Sequence, residues 1–275
     1  MPELPEVEVV CRGLRPLLMG RSFSQIRTSG HSLRLPIPED ALKRWAADAM
    51  VVEVRRRGKY LVVVLDNQAS LVFHLGMTGR LGLFPAATPL AAHDHLCLVL
   101  TDNERMELRF NDTRRFGSIQ VLTPDQDEAL HFAALGPEPL QGEFSADYLA
   151  DKGGRRSQPV KNFLMDSRVV VGIGNIYASE ILHEARISPL RPTNQVSALE
   201  WKSIVTQTRS VLTRAIAAGG STIADFVNAG GKPGYFQLEL KVYGRHGKPC
   251  LRCGAMIVKE TLAGRSTYRC EGCQR

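Results

Sequence analysis

The chain has 275 residues, of which 44% are hydrophobic and 23% are charged, and its formal net charge is +7. This composition excludes general disorder and fibrous repeats, and the length allows one large or two medium domains. No apolar run approaches the roughly 20 residues of a membrane helix, and the start lacks a signal peptide pattern, so we expect a cytoplasmic protein.

The first half of the chain predicts one helix followed by short strands. Residues 2–20 predict the helix, because Pro5 suits a first turn and Gly20 suits a helix end. Short apolar runs separated by turn residues predict strands at 60–65, 71–75, 96–100, 107–110 and 118–122. Several short strands at this spacing predict an antiparallel sandwich or barrel.

The second half predicts mainly helices, after a change in composition. Residues 116–151 contain no Lys or Arg, which indicates a linker and a domain boundary. A helix is predicted at about 175–184, and Ser197 with Glu200 forms a capping-box pattern that opens a second one. The pair Gly219 and Gly220 ends it.

The positive charge is concentrated at the end of the chain. Residues 240–275 carry eight Lys and Arg against two Asp and Glu. A basic segment of this kind favours a polyanionic partner such as nucleic acid, because phosphate contacts release counterions. A solvated tail is the alternative, and charge alone does not separate the two.

Four cysteines in the same segment predict a metal site. They form two C-x2-C pairs separated by sixteen residues: Cys250, Cys253, Cys270 and Cys273. Four thiolates in this spacing suit one tetrahedral Zn²⁺ that stabilises a zinc ribbon and leaves no open position for catalysis. Cys11 and Cys97 lie in apolar surroundings and are predicted to be core residues.

The first residues offer a possible nucleophile. Initiator methionine is normally removed before a small residue such as Pro2, and the proline would then carry a secondary amine. The pKa of a terminal amine lies below that of a lysine side chain, so more of it is free to attack an aldehyde-like carbon. Glu3 could transfer protons, and Glu6 could hold the amine or a water.

Two glycine-containing segments are candidate phosphate sites. Residues 55–60 carry three arginines and Lys59 at the entrance of a strand, which suits a phosphate-binding rim or an ordinary solvated charge run. Residues 172–175 place two glycines at a helix start, where backbone N–H groups bind anions. The glycine-rich segment 228–234 is an irregular loop or a lid.

Two further clusters point to polar recognition. His93 and His95 alternate around Asp94, and a phosphate contact or polar loop is favoured over a metal site because a third ligand is missing. Residues 111–117 place Arg114 and Phe116 in a turn after a strand, a pattern typical of residues that insert between DNA bases, although such a phenylalanine also occurs in cores.

Taken together, these motifs resemble the bacterial formamidopyrimidine-DNA glycosylase family over essentially the whole chain. The motifs that carry the resemblance are PELPE at 2–6, RGKYL at 57–61, HLGMTG at 74–79, NDTRRFG at 111–117, GIGNIYA at 172–178 and the zinc ribbon. Thr113 and Asn162 stand where many members of the family have proline.

The resemblance implies specific roles for individual residues. Pro2 would attack C1′ of the damaged nucleotide, Glu3 would donate a proton to the sugar, and Lys59 would assist β-elimination. Arg265 would contact phosphate and assist δ-elimination. The residues that would contact DNA fall into two groups, the gap-filling triad Met77, Arg114 and Phe116 and the backbone contacts His93, Arg156, Lys161 and Asn175.

The resemblance also implies a fold, a reaction and a partner. The fold would be α+β and multidomain, with a catalytic antiparallel β-sandwich with flanking helices at 1–131, a linker at 132–150, a helix–two-turn–helix domain at 151–238 and a zinc ribbon at 239–275. The enzyme would remove 8-oxoguanine and formamidopyrimidines from double-stranded DNA through a Schiff base and cleave the abasic site by β,δ-elimination. It would act as a monomer on the bacterial nucleoid, with one structural Zn²⁺.

Three other interpretations differ in function. Endonuclease VIII shares the scaffold and prefers oxidised pyrimidines, but it usually has glycine at the position of Leu4. A non-catalytic zinc-ribbon DNA-binding protein is disfavoured by the intact Pro2, Glu3 and Lys59. An RNA-associated or ribosome-associated helix–two-turn–helix protein is disfavoured by the predicted sandwich and ribbon.

Overall fold

The computed structural model describes residues 2–101, 106–220 and 239–275, and the chain divides into two units. The described residues up to Phe132 belong to the first unit. Those in Ala133–Ala217 and in 239–275 belong to the second. Among the described residues, no helix has the length and apolar character that a bilayer crossing requires.

The first helix, α1, spans Leu4–Leu18, as the sequence predicts. Pro5 occupies its first turn, where the missing N–H costs no hydrogen bond. Its apolar positions recur at helical spacing and form one fully buried face: Leu4, Val7, Val10, Cys11, Leu14 and Leu18. Burial of this face fixes the start of the chain against the first unit's core.

The described residues of the first unit form eight strands and two short helices after α1. The strands are β1 (Phe23–Thr28), β2 (Val51–Arg57), β3 (Tyr60–Leu65), β4 (Ser70–His74), β5 (Arg80–Pro85), β6 (Asp94–Leu100), β7 (Met106–Asn111) and β8 (Ser118–Leu122). The helices α2 and α3 span Glu39–Trp45 and Glu128–His131. Two four-stranded sheets result, in the orders β1-β6-β7-β5 and β2-β3-β4-β8.

The two sheets pack face to face as a β-sandwich. Every strand pair within them is antiparallel. Phe73 of β4 and Phe110 of β7 belong to different sheets, and their ring centroids lie 6.1 Å apart in the shared core. Helix α1 contacts β2 and β3 of one sheet and β5 of the other. The structure therefore selects the sandwich from the two predicted alternatives.

The second unit is helical and ends in a two-stranded ribbon. Its helices are α4 (Ala146–Gly153), α5 (Val160–Met165), α6 (Asn175–Glu184) and α7 (Ala198–Ala217), with a 3-10 turn at Thr193–Gln195. The strands β9 (Ile257–Leu262) and β10 (Arg265–Cys270) pair antiparallel. The predicted capping box opens α7, since Ser197 N–H donates to the Glu200 carboxylate at 2.9 Å and Glu200 N–H donates to Ser197 Oγ at 3.3 Å.

Helix α6 is the buried centre of this unit, and it anchors the segment before the ribbon. All residues from Ile176 to His183 are buried. The Glu180 carboxylate accepts the backbone N–H groups of Lys241, Val242 and Tyr243 at 2.8–3.0 Å. Burial raises the pKa of Glu180, although these three donors oppose the shift. A side chain of α6 thus holds the chain where it enters the ribbon.

Candidate functional site

The N-terminus of α1 positions the proposed nucleophile and proton donor. Pro2 is buried, and Glu3 and Glu6 are each only 1% exposed. Glu3 is the N-cap residue and forms a reciprocal capping box with Glu6, in which Glu3 N–H donates to Glu6 Oε2 at 2.8 Å. The backbone that follows Pro2 is therefore held rigidly, and both carboxyl groups lie where the helix dipole favours negative charge.

A tight turn between β2 and β3 carries Lys59. Arg57 pairs with Tyr60, so Gly58 and Lys59 form a two-residue turn in which Gly58 has φ +57°. Arg56 donates to the Gly58 carbonyl at 3.1 Å and to the Glu8 carboxylate of α1 at 2.8 Å. This guanidinium ties the turn of Lys59 to the helix that begins beside Pro2.

The arginine run before Lys59 is mostly engaged within the protein. Arg56 is bonded to Glu8 as described, and Arg55 pairs with Glu53 and Glu128. Burial raises the pKa of Glu8, but hydrogen bonds from Arg12 and Arg56 outweigh it and lower that pKa overall. Both Arg55 and Arg56 therefore have carboxylate partners. The arginine run is not a purely solvated run of charges.

The gap-filling candidates lie on two neighbouring loops of the first unit. Met77 is 38% exposed and Phe116 46% exposed, and Arg114 is exposed as well. The Arg114 guanidinium lies 4.8 Å from the Phe116 ring centroid, a cation–π contact. Phe116 is therefore a surface residue rather than part of the core. Three side chains able to stack on bases project from one region.

The two histidines near β6 occupy different environments. His93 is exposed, with φ +71°, directly before the strand. His95 is buried, and its ring nitrogens contact Ser29 Oγ at 2.9 Å and the Asp112 carbonyl at 3.1 Å. Since the carbonyl can only accept, Nε2 of His95 carries the proton and Nδ1 accepts from Ser29. Both nitrogens of His95 are in use, whereas His93 faces solvent.

In the second unit, Lys161 and Asn175 hold the ribbon hairpin. Lys161 is 1% exposed, and its Nζ donates to Asn175 Oδ1 at 2.6 Å, the Ser266 carbonyl at 3.0 Å and Thr267 Oγ1 at 2.8 Å. Asn175 Nδ2 donates to the same Ser266 carbonyl at 2.9 Å. These side chains position the backbone directly after Arg265, an arrangement that motif spacing alone did not indicate.

Arg265 lies at the tip of the β9–β10 hairpin. Leu262 pairs with Arg265, and both turn residues between them have positive φ, +47° at Ala263 and +74° at Gly264. This is the backbone of a type I′ turn, whose twist matches the paired strands. Arg265 is exposed there. Arg156 is exposed too, with its guanidinium 5.7 Å from the Phe163 ring centroid.

The four ribbon cysteines form a cluster suited to one Zn²⁺. Their Sγ atoms all lie within 4.8 Å of one another, with Cys250–Cys273 at 3.8 Å and Cys253–Cys270 at 3.4 Å. Tetrahedral Zn–S bonds of about 2.3 Å require sulfur separations of about 3.8 Å, so the donor set fits. Burial raises the pKa of Cys250, but backbone donors outweigh it and lower that pKa to about 7. The other two free cysteines, Cys11 and Cys97, are buried in the first unit.

Comparison with known proteins defines the class and then the family. Three family models match in order: the formamidopyrimidine-DNA glycosylase N-terminal domain at residues 1–119, its H2TH domain at 135–227, and a zinc finger found in FPG and IleRS at 247–275. These matches define a DNA glycosylase with a helix–two-turn–helix domain and a zinc finger. The chain belongs to the formamidopyrimidine-DNA glycosylase family.

Individual relatives agree over the full length. Formamidopyrimidine-DNA glycosylases of Xanthomonas oryzae pv. oryzae and Acidithiobacillus ferrooxidans are 46% and 44% identical, with all of each chain covered. A Lactococcus lactis FPG mutant in complex with Fapy-dG-containing DNA superimposes with a TM-score of 0.92 at 32% identity over 100% of both chains. The Thermus thermophilus MutM (FPG) structure gives 0.87 at 38% identity, over 99% of this chain and 98% of that one.

These findings confirm four predictions made from the sequence. The family, the α+β fold, the enzyme class and the structural zinc ribbon are all as expected. The predicted loop at 228–234 lies outside the described residues. The sequence analysis did not identify Asp112 or Thr78 as residues of the site, although they lie inside the NDTRRFG and HLGMTG motifs respectively.

Proposed function

We propose that this enzyme excises oxidised purines, 8-oxoguanine and formamidopyrimidines, from double-stranded DNA and then cleaves the strand. The observation that carries the proposal is the buried Pro2 directly before a capping box of two buried carboxyl groups. A secondary amine held there is a nucleophile whose direction of attack is fixed by the helix behind it. The first unit would be the catalytic domain, with the linker and later domains at the boundaries that the sequence predicts.

The chemistry of the first step uses Pro2 and Glu3. The free electron pair of the Pro2 amine forms a bond to C1′ of the damaged nucleotide, and the glycosidic bond breaks so that its electron pair leaves with the base. The proton that the amine nitrogen loses neutralises the departing base. Glu3 supplies a proton to the sugar oxygen as the ring opens, which leaves an iminium ion between Pro2 and C1′. That cation is the electron sink for the next step.

Strand cleavage follows from the iminium ion. Removal of a C2′ proton, assisted by Lys59, expels the 3′ phosphate in β-elimination. Removal of a C4′ proton from the conjugated product, assisted by Arg265, then expels the 5′ phosphate in δ-elimination. Water then hydrolyses the iminium and regenerates the amine. The products are a one-nucleotide gap with phosphate at both ends and an unsaturated sugar aldehyde.

DNA binding would use residues of both units. His93, Arg156 and Asn175 would contact phosphates, which position the duplex without reading its sequence. The buried Lys161, whose three N–H donors bond within the protein, would hold Asn175 and the ribbon hairpin in place. Met77, Arg114 and Phe116 would fill the space left by the flipped nucleotide and offset the lost stacking. The protein would bind as a monomer and act on the bacterial nucleoid.

A wider substrate range has one specific observation in its favour. A Lactococcus lactis FPG structure, 33% identical with a TM-score of 0.90, is a complex with an oxidised pyrimidine containing DNA. The buried Leu4, at the position where endonuclease VIII usually has glycine, supports a purine preference. We infer that purine lesions are preferred and that some oxidised pyrimidines are excised more slowly.

Excision assays on matched duplexes test this proposal. Duplexes that differ only in one base, 8-oxoguanine, a formamidopyrimidine or 5-hydroxycytosine, are incubated with excess enzyme under single-turnover conditions. We expect purine lesions to be removed at least about tenfold faster, with phosphate at both ends of the gap. A faster rate on 5-hydroxycytosine would identify a pyrimidine enzyme, and binding without excision of any lesion would leave only a DNA-binding protein.

A further inference from the structure

A buried carboxylate that the proposed chemistry does not use connects the two loops of the gap-filling triad. Asp112 is fully buried, and its Oδ2 accepts the Gly117 N–H at 2.7 Å. Its Oδ1 accepts the Thr78 hydroxyl at 2.5 Å. One carboxylate thus holds the loop of Phe116 with one oxygen and the residue after Met77 with the other.

Thr78 links the same two loops through a second hydrogen bond. Its Oγ1, which donates to Asp112, also accepts the backbone N–H of Arg114 at 3.0 Å. The hydroxyl therefore uses its proton toward one residue of the NDTRRFG loop and a lone pair toward another. A hydroxyl can do this and a methyl group cannot.

The two loops also touch through their backbones, so their spacing has little freedom. A Cβ on Gly76 would lie 2.4 Å from the Gly117 nitrogen and 2.7 Å from the Phe116 carbonyl oxygen. A Cβ on Gly117 would lie 3.0 Å from Asp112 Oδ2. Only glycine allows this approach, and the hydrogen bonds of Asp112 act across it.

The backbone of Asp112 is held from the sheet side. Its N–H donates to the His93 carbonyl at 3.1 Å, and its carbonyl accepts from His95 Nε2 at 3.1 Å. Main chain and side chain of Asp112 are thus bonded at once, and the residue cannot rotate without breaking several hydrogen bonds. The same residue fixes the carbonyl of His93, a proposed phosphate contact.

We propose that Asp112 and Thr78 are positioning residues that make Met77, Arg114 and Phe116 insert into DNA as one rigid body. This inference rests on the proposed function, because it assumes that the triad fills the gap left by a flipped base. Neither residue touches DNA in this scheme. They hold the two loops at a fixed distance from each other. Insertion of all three side chains into DNA then costs no further conformational entropy for ordering the loops.

The test compares a lesion that must be flipped with one that has no base. Thr78→Val keeps the shape of the side chain and removes the hydroxyl, and Thr78→Ser restores it. Thr78→Val loses both of these hydrogen bonds, so we expect it to lower single-turnover excision of 8-oxoguanine at least about tenfold. Cleavage of a preformed abasic site, which needs no base extrusion, should change less than about twofold.

A double-mutant cycle shows whether the effect acts through the triad. Thr78→Val combined with Phe116→Ala should lose less than the product of the two single losses, because the two residues act as one unit. Thr78→Ser should recover most of the activity. Thr101→Val is the matched control, since its hydroxyl donates to the Ser22 carbonyl outside these loops and both excision and abasic cleavage should stay near wild type.

Three results would overturn the inference. Equal losses on 8-oxoguanine and on the abasic site would make Thr78 merely structural, and additive losses in the cycle would mean that it acts elsewhere. An unchanged excision rate in Thr78→Val would show that Thr78 does not position the triad. Failure of the proposed function looks different, because the wild-type enzyme would then not excise the base at all. Asp112→Asn, measured on the same two substrates, tests the carboxylate independently.

Discussion

The backbone N–H of Glu3 donates to the Glu6 carboxylate at 2.8 Å, and both side chains are buried. This contact fixes the peptide that follows Pro2 at the first turn of α1. The proposed reaction requires the amine to meet one carbon from one direction, and a frayed helix start would not provide that. The capping box is thus the structural link between a common helix motif and the proposed chemistry.

Loss of the Glu6 carboxylate should loosen the helix start. Glu6→Ala leaves the Glu3 N–H without its acceptor, and we expect a loss of about 1–3 kcal/mol in the free energy of unfolding. The yield of borohydride-trapped adduct should fall with it. Glu6→Gln keeps a carbonyl acceptor and should recover most of the stability. Urea unfolding measures this, and equal stability of wild type and Glu6→Ala would show that the cap is dispensable.

Removal of the Phe116 ring should affect excision and leave the fold intact. The ring is 46% exposed, so Phe116→Ala should change the free energy of unfolding by about 0.5 kcal/mol or less. Base stacking is worth about 1–3 kcal/mol, so excision of 8-oxoguanine should slow about tenfold or more. Phe84→Ala is the control, because Phe84 on β5 is an aromatic residue of similar exposure, 41%. A large drop in melting temperature with unchanged excision would place Phe116 in a structural role.

The zinc ribbon should fold only around its metal. Cys250→Ala removes one of four ligands, so the zinc content should fall from one ion per chain toward none, and DNA affinity should fall with it. Cys97→Ala, which removes a buried thiol outside the cluster, should keep its zinc. Metal analysis and a binding titration measure both quantities. Full DNA affinity in a zinc-free Cys250→Ala protein would contradict a structural role of the ribbon in binding.

Stability should depend on His74 at mildly acidic pH. Burial, together with Lys59 and Arg34, lowers the pKa of His74 to about 4, against the opposing effect of Asp112. The unfolded chain takes up this proton near pH 6.5 and the folded chain only near pH 4. The free energy of unfolding therefore decreases as the pH falls through this window, by up to about 3 kcal/mol for this group.

Replacement of His74 isolates its share of the pH dependence. Its Nδ1 accepts the Gly76 N–H at 3.1 Å, and the amide oxygen of His74→Gln can take over that role. We expect a flatter dependence of stability on pH between 6.5 and 4 in this variant. His131→Gln, the same exchange at an exposed position, is the matched substitution control. An identical slope in the His74 variant would mean that other groups cause the acid sensitivity.

The sequence predicts local structure well where apolar periodicity is strong. The bounds of β3, β8 and α6 agree with the predicted runs, because buried valines, leucines and isoleucines mark them. Strand β2 was not predicted, since three consecutive arginines conceal its alternation, and two of their carboxylate partners, Glu8 and Glu128, are distant in sequence. Strand β1 was missed as well, because only Phe23 of it is fully buried.

The candidate site, like the fold, was predictable only where local sequence patterns determine it. The motifs identify which residues are present, but contacts across the fold decide what each one touches. Lys161, predicted as a phosphate contact, bonds Ser266 and Thr267 more than 100 positions along the chain. The connection from Asp112 to Thr78 spans 34 positions. Spacing within a motif contains no information about such pairs.

Peptide mapping of a borohydride-trapped complex tests the central role of Pro2 most directly. The enzyme, with removal of Met1 verified by mass, is mixed with an 8-oxoguanine:cytosine duplex and reduced, and the adduct is digested and located by mass spectrometry. We expect the sugar on the N-terminal peptide, attached to Pro2, in high yield. Attachment to Lys59, or no adduct from a protein that binds the duplex, would contradict the account.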